Sequence, residues 1–137
     1  MRVSLIITTY NRPDALLLVL RSIEEQRTLP YEVIIADDGS TNHTKEVVTS
    51  FQEKSDIRVI HSWQEDSGFR AAKSRNKAIS QSNSDYIILI DGDVILHPEF
   101  INDHINNAQP SYFVQGSRVL LTQDKTKQTL DQQKINF

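Results

Sequence analysis

Tyr86-Ile87-Ile88-Leu89-Ile90-Asp91-Gly92-Asp93 is the stretch that decides the fold. An apolar run rich in β-branched residues reads as a parallel strand buried on both faces. The aspartates at its carboxyl end point into the crevice where open α/β sheets bind ligands. Residues two apart on extended backbone share a face, so both carboxylates aim at one ligand. Hard anionic oxygens in that position suit Mg²⁺ or Mn²⁺ carrying a phosphate group. The plainer alternative is a polar turn, because Asp-Gly is a common turn dipeptide.

Working outward, strand-like and helix-like segments alternate. Val3 to Thr8 reads as a first strand. Arg12-Pro13-Asp14 opens a helix, with Pro13 in its first turn and Asp14 complementing the positive end of its dipole. Leu16, Leu20 and Ile23 fall on one face of that helix, which therefore packs. Glu32 to Ala36 is a second strand, Asp37-Asp38-Gly39-Ser40 a turn, and Thr41 onward a helix bearing Val47, Val48 and Phe51. Ser40 is the expected cap of that helix. Ile57 to Ile60 is a third strand, Arg70 to Ser80 a helix, and Tyr86 to Ile90 the fourth strand. Pro98 opens a short helix with Phe100 and Ile101. Tyr112-Phe113-Val114 and Arg118 to Leu121 read as one or two further strands around Gly116. This alternation predicts an α/β, Rossmann-like domain with a mostly parallel sheet and flanking helices. The domain spans 1–121, and 122–137 is a polar tail or surface helix.

Polar groups gather at successive strand ends: Thr8 to Arg12, Asp37 to Ser40, His61 to Phe69, and Asp91 to Asp93. Each alone is an ordinary strand-to-helix turn. In a parallel sheet these ends converge where a nucleotide sits. The helix from Arg70 adds a separate argument. At helical period Ala71, Ala72, Ala78 and Ile79 form a stripe with Arg75 in its middle. A guanidinium on a packed face needs an anion, since an unpaired buried charge is costly. Arg75 is therefore expected to pair with Asp91 or Asp93, or to reach a bound diphosphate. The histidines show no metal-ligand spacing with one another. Trp63 reads as core or rim.

Composition narrows the class. The chain has 137 residues, 38% hydrophobic and 24% charged, enough for one domain with a core. A net charge of −3 gives no electrostatic reason to expect nucleic acid. Without cysteine there is no disulfide or thiolate metal site. The apolar start is too short for a signal-peptide core, and no run is long enough to span a bilayer. A cytoplasmic protein is the expectation, at most peripheral to the inner face of a membrane. Walker, Gly-x-Gly-x-x-Gly and Gly-x-Ser-x-Gly motifs are absent.

Thr8-Thr9-Tyr10-Asn11-Arg12-Pro13, Asp37-Asp38-Gly39-Ser40 and Asp91-Gly92-Asp93, taken in this order, resemble a family 2 glycosyltransferase of GT-A fold. Glu65 to Ile79, containing Ser67-Gly68-Phe69-Arg70-Ala71-Ala72, is similar to the galactosyltransferase-like and chondroitin-polymerase-like bacterial branch, as is Gln115-Gly116-Ser117-Arg118-Val119. The resemblance implies transfer of a sugar from a UDP-sugar to an acceptor hydroxyl, usually with inversion, in bacterial polysaccharide or lipopolysaccharide synthesis. The acceptor would be a saccharide or lipid-linked saccharide. It also implies roles by position. Thr9, Tyr10 and Arg12 border the uridine and diphosphate, and Asp38 accepts from the uracil ring. Gly68 lets the backbone approach the nucleotide, and Arg75 lies near the diphosphate. Asp91 faces the ribose or metal shell, and Asp93 binds Mn²⁺ or Mg²⁺.

Family members carry a second half with the acceptor site and a carboxylate base, and nothing after Leu121 matches it. The expectation is therefore a donor-binding half with its base beyond Phe137. The alternative is a catalytically inactive nucleotide-sugar-binding module. An apolar sheet edge left open by the missing half predicts a homodimer. A receiver-like phosphorylation domain is disfavoured, because its acidic pair would follow the first strand. A sugar-phosphate nucleotidyltransferase would need a Gly-rich arginine loop there.

Overall fold

The computed structural model describes residues 1–137. Four strands form one sheet: β1 (Val3–Thr9), β2 (Glu32–Asp37), β3 (Arg58–Trp63) and β4 (Tyr86–Asp91). Their order is β3-β2-β1-β4 and every neighbouring pair is parallel. The helices are α1 (Pro13–Glu24), α2 (Asn42–Lys54), α3 (Ala71–Ser80), α4 (Phe100–Asn107) and α5 (Gln123–Gln132). No helix is long and apolar enough to cross a membrane.

Alternation along the central strand explains the layers. Val3, Leu5 and Ile7 of β1 join Val33 and Ile35 of β2 in one core cluster with Leu16, Val19, Leu20 and Ile23 of α1 and Val48 and Phe51 of α2. Ile6 faces the other way and packs with Ile34, Ala36 and Ala78, the last on α3. Residues two apart share a face, so one strand serves two layers. The chain winds outward from β1 to β2 to β3. It then crosses back under α3 to place β4 on the far side of β1. The winding direction therefore reverses between β1 and β4, and open α/β sheets bind ligands at such a switch point.

β4 departs from expectation. Of its apolar run only Ile88 is buried, while Ile87 and Leu89 are 37% and 49% exposed. The strand is an edge, covered on one face. The apolar run reports hydrophobicity but not neighbours, and α3 lies over β1 and β2 instead. β3 also runs further than expected, so His61, Ser62 and Trp63 belong to the strand and not to the loop after it. The expected strands at 112–114 and 118–121 do not form, and Phe113, Val119 and Leu120 are exposed in chain without regular secondary structure. These residues have strand propensity but no partner strand, and propensity alone does not make a ladder. Within α3, Ala72 is exposed and Ser74 takes its place on the packed face. α5 carries no buried residue and lies near α1, where Arg21 donates to the Gln133 carbonyl at 2.8 Å.

The opposite end of the sheet is pinned by a buried carboxylate. Glu32 is fully buried and accepts from Ser4 Oγ at 2.6 Å and from the Asn83 N–H at 2.7 Å. Arg58 stands 3.7 Å from its other oxygen. Asn83 lies in the turn that feeds β4, so Glu32 anchors the strand whose far end carries the acidic pair.

Candidate functional site

A cleft of about 350 Å³ opens at the carboxyl ends of β1, β2 and β4. Register builds its floor: Thr8 sits opposite Asp91 and Thr9 opposite Asp37. Thr8, Thr9, Tyr10 and Arg12 come from the end of β1, and Asp38 from the turn after β2. Asp91, Gly92 and Asp93 close the β4 side, while Arg75 and Phe69 reach in from α3 and the loop before it. Of the residues singled out in the sequence, the cleft gathers Thr9, Tyr10, Arg12, Asp38, Arg75, Asp91 and Asp93. Gly68 does not line it.

Gly92 explains why the acidic pair sits where it does. Its N–H donates to the Thr8 carbonyl at 2.7 Å. A Cβ on Gly92 would lie 2.7 Å from that same oxygen. The turn therefore rests directly on the end of β1, and Thr8 Oγ1 donates to Asp91 Oδ1 at 3.1 Å. Asp91 is thus oriented by a neighbouring strand. Asp93 is exposed beside it. No cluster of three or more His, Asp or Glu forms a complete cation site. The donor set fits Mg²⁺ or Mn²⁺, which take one or two carboxylates and complete their shell with water and substrate phosphate.

Arg75 is half-buried, and no ion pair joins it to Asp91 or Asp93. The expected direct pairing is not made. It lines the cleft together with Arg12 and Arg118, three cations in the same cleft as the carboxylates. Arg118 arrives from the irregular segment after Gly116, in the Gln115–Val119 motif, and is not among the site residues expected from sequence.

The β2 side is more tightly built. Asp38 accepts from Gln64 Nε2 at 2.7 Å on one oxygen and from the Arg70 N–H at 2.7 Å on the other. It therefore ties the loop before α3 as well as lining the cleft. Gly39 adopts φ +102°, and a Cβ there would lie 2.5 Å from the Asp66 backbone, so this glycine permits the close approach of that loop. Tyr10 holds the same loop, its hydroxyl donating to Asp66 Oδ2 at 2.8 Å. That bond and the Asp66 charge raise the Tyr10 pKa and keep the phenol protonated. Gly68 has φ +78° with no atom near its missing side chain, so its requirement is torsional. Ser40 does not cap α2. Thr41 occupies that position, and Ser40 Oγ accepts from the Asn11 N–H at 2.8 Å. Trp63 is a rim residue, 46% exposed, whose indole N–H donates to the Ser40 carbonyl at 3.1 Å.

Beneath Asp38, Asp37 is fully buried with Oδ2 2.8 Å from His61 Nε2. Burial acts to raise the Asp37 pKa. Hydrogen bonds from His61 and Ser40, with the His61 charge, outweigh it and leave the carboxyl below its ordinary value. In sequence His61 stands among the polar strand-end groups and lacks metal-ligand spacing, and nothing in the spacing marks a partner on an adjacent strand.

A parallel α/β sheet with a polar, cation-lined cleft at its switch point defines a Rossmann-like domain. The chain belongs to glycosyl transferase family 2, whose family model matches residues 4–136. It is 35% identical over 103 residues to the hyaluronan synthase of Pasteurella multocida, covering 74% of this chain and 10% of that protein. Among solved structures, S. aureus TarS 1-349 in complex with UDP-GlcNAc matches with TM-score 0.66 and 28% identity, over 77% of this chain and 30% of that one. The mannosyltransferase PcManGT from Pyrobaculum calidifontis, in complex with GDP-Man and Mn²⁺, shares the fold with TM-score 0.70 at 24% identity, over 80% of this chain and 33% of that one. The chain thus spans about a tenth of the synthase and about a third of either solved structure.

Proposed function

We propose that this chain binds the donor of a glycosyl transfer reaction: a UDP-sugar together with a divalent cation, Mn²⁺ or Mg²⁺. Within a longer enzyme that site would serve inverting transfer to a saccharide or lipid-linked saccharide hydroxyl in bacterial polysaccharide or lipopolysaccharide synthesis. The observation that carries the reading is the convergence of Asp91, Asp93, Asp38 and three arginines on one cleft. UDP-GlcNAc binding by the similar TarS structure supports it.

Roles follow from position. Asp91 and Asp93 would hold the cation, which when bound supplies Lewis-acid stabilisation of the departing diphosphate. Thr8 fixes the rotamer of Asp91 through its hydroxyl. Arg75, Arg12 and Arg118 bring guanidinium forks suited to phosphate oxygens. Asp38, an acceptor-only carboxylate, selects a base edge that presents an N–H, as the imide of uracil does. Tyr10 and Asp66 hold the loop that walls this side.

The test is calorimetric titration of UDP into the chain with Mn²⁺, then with EDTA, and again with Asp93→Ala. Binding that requires both Mn²⁺ and Asp93 is the expected result. Binding indifferent to EDTA and to Asp93→Ala would overturn the cation assignment, and no binding at all would overturn the donor-site reading.

A further inference from the structure

We infer that the buried Asp37–His61 pair is a positioning device for the base-binding side of the donor cleft. The inference rests on the donor-site reading above. His61 lies opposite Ile35 in the β2–β3 register. Asp37 is two residues beyond Ile35, so both side chains stand on the same face of the sheet. Their contact at 2.8 Å engages one oxygen of a carboxylate that has no access to water. The other oxygen accepts from the Ser40 N–H at 2.9 Å. Asp37 therefore clamps the turn Asp37-Asp38-Gly39-Ser40 from below, with its charge held by a neighbouring strand.

What rides on that turn is the β2 wall of the cleft. Ser40 Oγ accepts from the N–H of Asn11, a non-glycine residue held at φ 48°. The Asn11 side chain in turn accepts from the Thr41 N–H at 2.9 Å. The Asp37 carbonyl accepts from the Gln64 N–H at 3.1 Å, and the Gln64 amide donates to Asp38. Backbone held in a sparsely populated conformation persists only where its surroundings over-determine it. Here the Asp37 carboxylate holds the N–H of Ser40, the residue whose hydroxyl in turn holds Asn11. The acidic pair at the end of β4 is built independently, from Thr8 and Gly92. β1 separates it from Asp38. Loosening the Asp37–His61 contact therefore acts first on the base side and leaves in place the Asp91–Asp93 turn, which would hold the cation and through it the diphosphate.

This separation distinguishes positioning from simple stabilisation. A purely structural pair would lower unfolding stability and leave the ratio of affinities for different ligands alone. A positioning pair changes that ratio. The experiment is titration of the chain with UDP and, separately, with pyrophosphate, both with Mn²⁺, in wild type, His61→Leu, His61→Gln and Asp37→Asn. His61→Leu is expected to weaken UDP by about tenfold, the scale of one charge-assisted hydrogen bond, and pyrophosphate by less than about twofold. His61→Gln returns an N–H donor to the reach of Nε2 and is expected to recover UDP affinity to within about threefold of wild type. Asp37→Asn keeps the shape and leaves no unpaired buried charge. It reads the same split should His61→Leu not fold.

Equal losses for both ligands, or no loss for UDP, would overturn the inference while leaving the donor site standing. Failure of His61→Gln to recover UDP binding would overturn it as well. A wild-type chain that binds neither ligand would remove the donor-site reading and this inference together.

Discussion

Gly92→Ala is the sharpest probe of how the acidic pair is held. The Gly92 backbone is not in the left-handed region, so alanine meets no torsional penalty. The obstacle is contact alone. An added Cβ would lie 2.7 Å from the Thr8 carbonyl oxygen and 3.2 Å from Thr9 Cβ. Comfortable carbon contacts begin near about 3.5 Å, so the turn must retreat by several tenths of an ångström. The same retreat stretches the 2.7 Å bond from the Gly92 N–H to that carbonyl. Overpacking costs about 1–3 kcal/mol and a weakened hydrogen bond about 1 kcal/mol, so a loss of roughly 2–4 kcal/mol is expected. Because Asp91 and Asp93 move with the turn, UDP–Mn²⁺ affinity should fall by about tenfold or more, roughly 1.4 kcal/mol. Urea unfolding with unchanged m reports the first quantity and calorimetry the second. Gly68→Ala is the control: φ is +78° but nothing crowds the site, so only a torsional cost of about 1–2 kcal/mol applies. Wild-type midpoint and wild-type affinity in Gly92→Ala would refute the argument from close approach.

Two other outcomes follow from buried polar groups. Burial pushes the His104 imidazole pKa down against the opposing pull of Asp103, and Tyr86 stands 3.1 Å from its Nδ1. The fold therefore favours neutral His104. Its contribution is present above the ordinary imidazole value, about 6.5, and is lost as pH falls from there through the lowered folded value. Urea midpoints at pH 7.5 and 5.5 should differ less in His104→Asn than in wild type, and an unaltered difference counts against His104 as the source. Glu32→Ala leaves the Asn83 N–H without its partner and Ser4 Oγ with Ser82 Oγ alone, 3.1 Å away. It should cost about 1–3 kcal/mol by chemical denaturation, and a neutral result would mean that water or rearrangement satisfies the Asn83 N–H.

Strand ends were legible because chemistry and periodicity change together there: apolar runs stop at Thr8, Asp37 and Asp91, at the edge of the sheet where the cleft opens. The switch point followed from connectivity alone. Coverage was not legible. Ile87 and Leu89 are as apolar as Ile88, and only the placement of α3 over β1 and β2 leaves them exposed. Phe113 and Leu120 carry strand propensity without a ladder to join. Arg75 reached the cleft as its helical phase required, but the carboxylate expected to pair with it belongs to a turn fixed by Gly92 and Thr8. The Asp37–His61 contact lay beyond reading, because residues 24 apart meet only through the β2–β3 register. Gly39 and Gly92 look alike in sequence, yet one meets the Asp66 backbone and the other the Thr8 carbonyl.

The position of β4 at the sheet margin has a thermodynamic corollary. β1 is flanked on both sides, whereas β4 is hydrogen-bonded only to β1. Edge elements open by sub-global fluctuations that cost less than full unfolding, so amide exchange at 86–91 should be faster than in the interior strands β1 and β2. Asp91 and Asp93 sit at the tip of this edge strand, and Asp38 follows the end of the interior β2. A ligand that engages both sides acts as a reversible staple, joining margin to centre. At a hundredfold excess over Kd such a ligand stabilises the closed form by about 2.7 kcal/mol. Occupancy would then be read in slowed exchange along β4, making donor concentration a determinant of how firmly that margin of the sheet is closed.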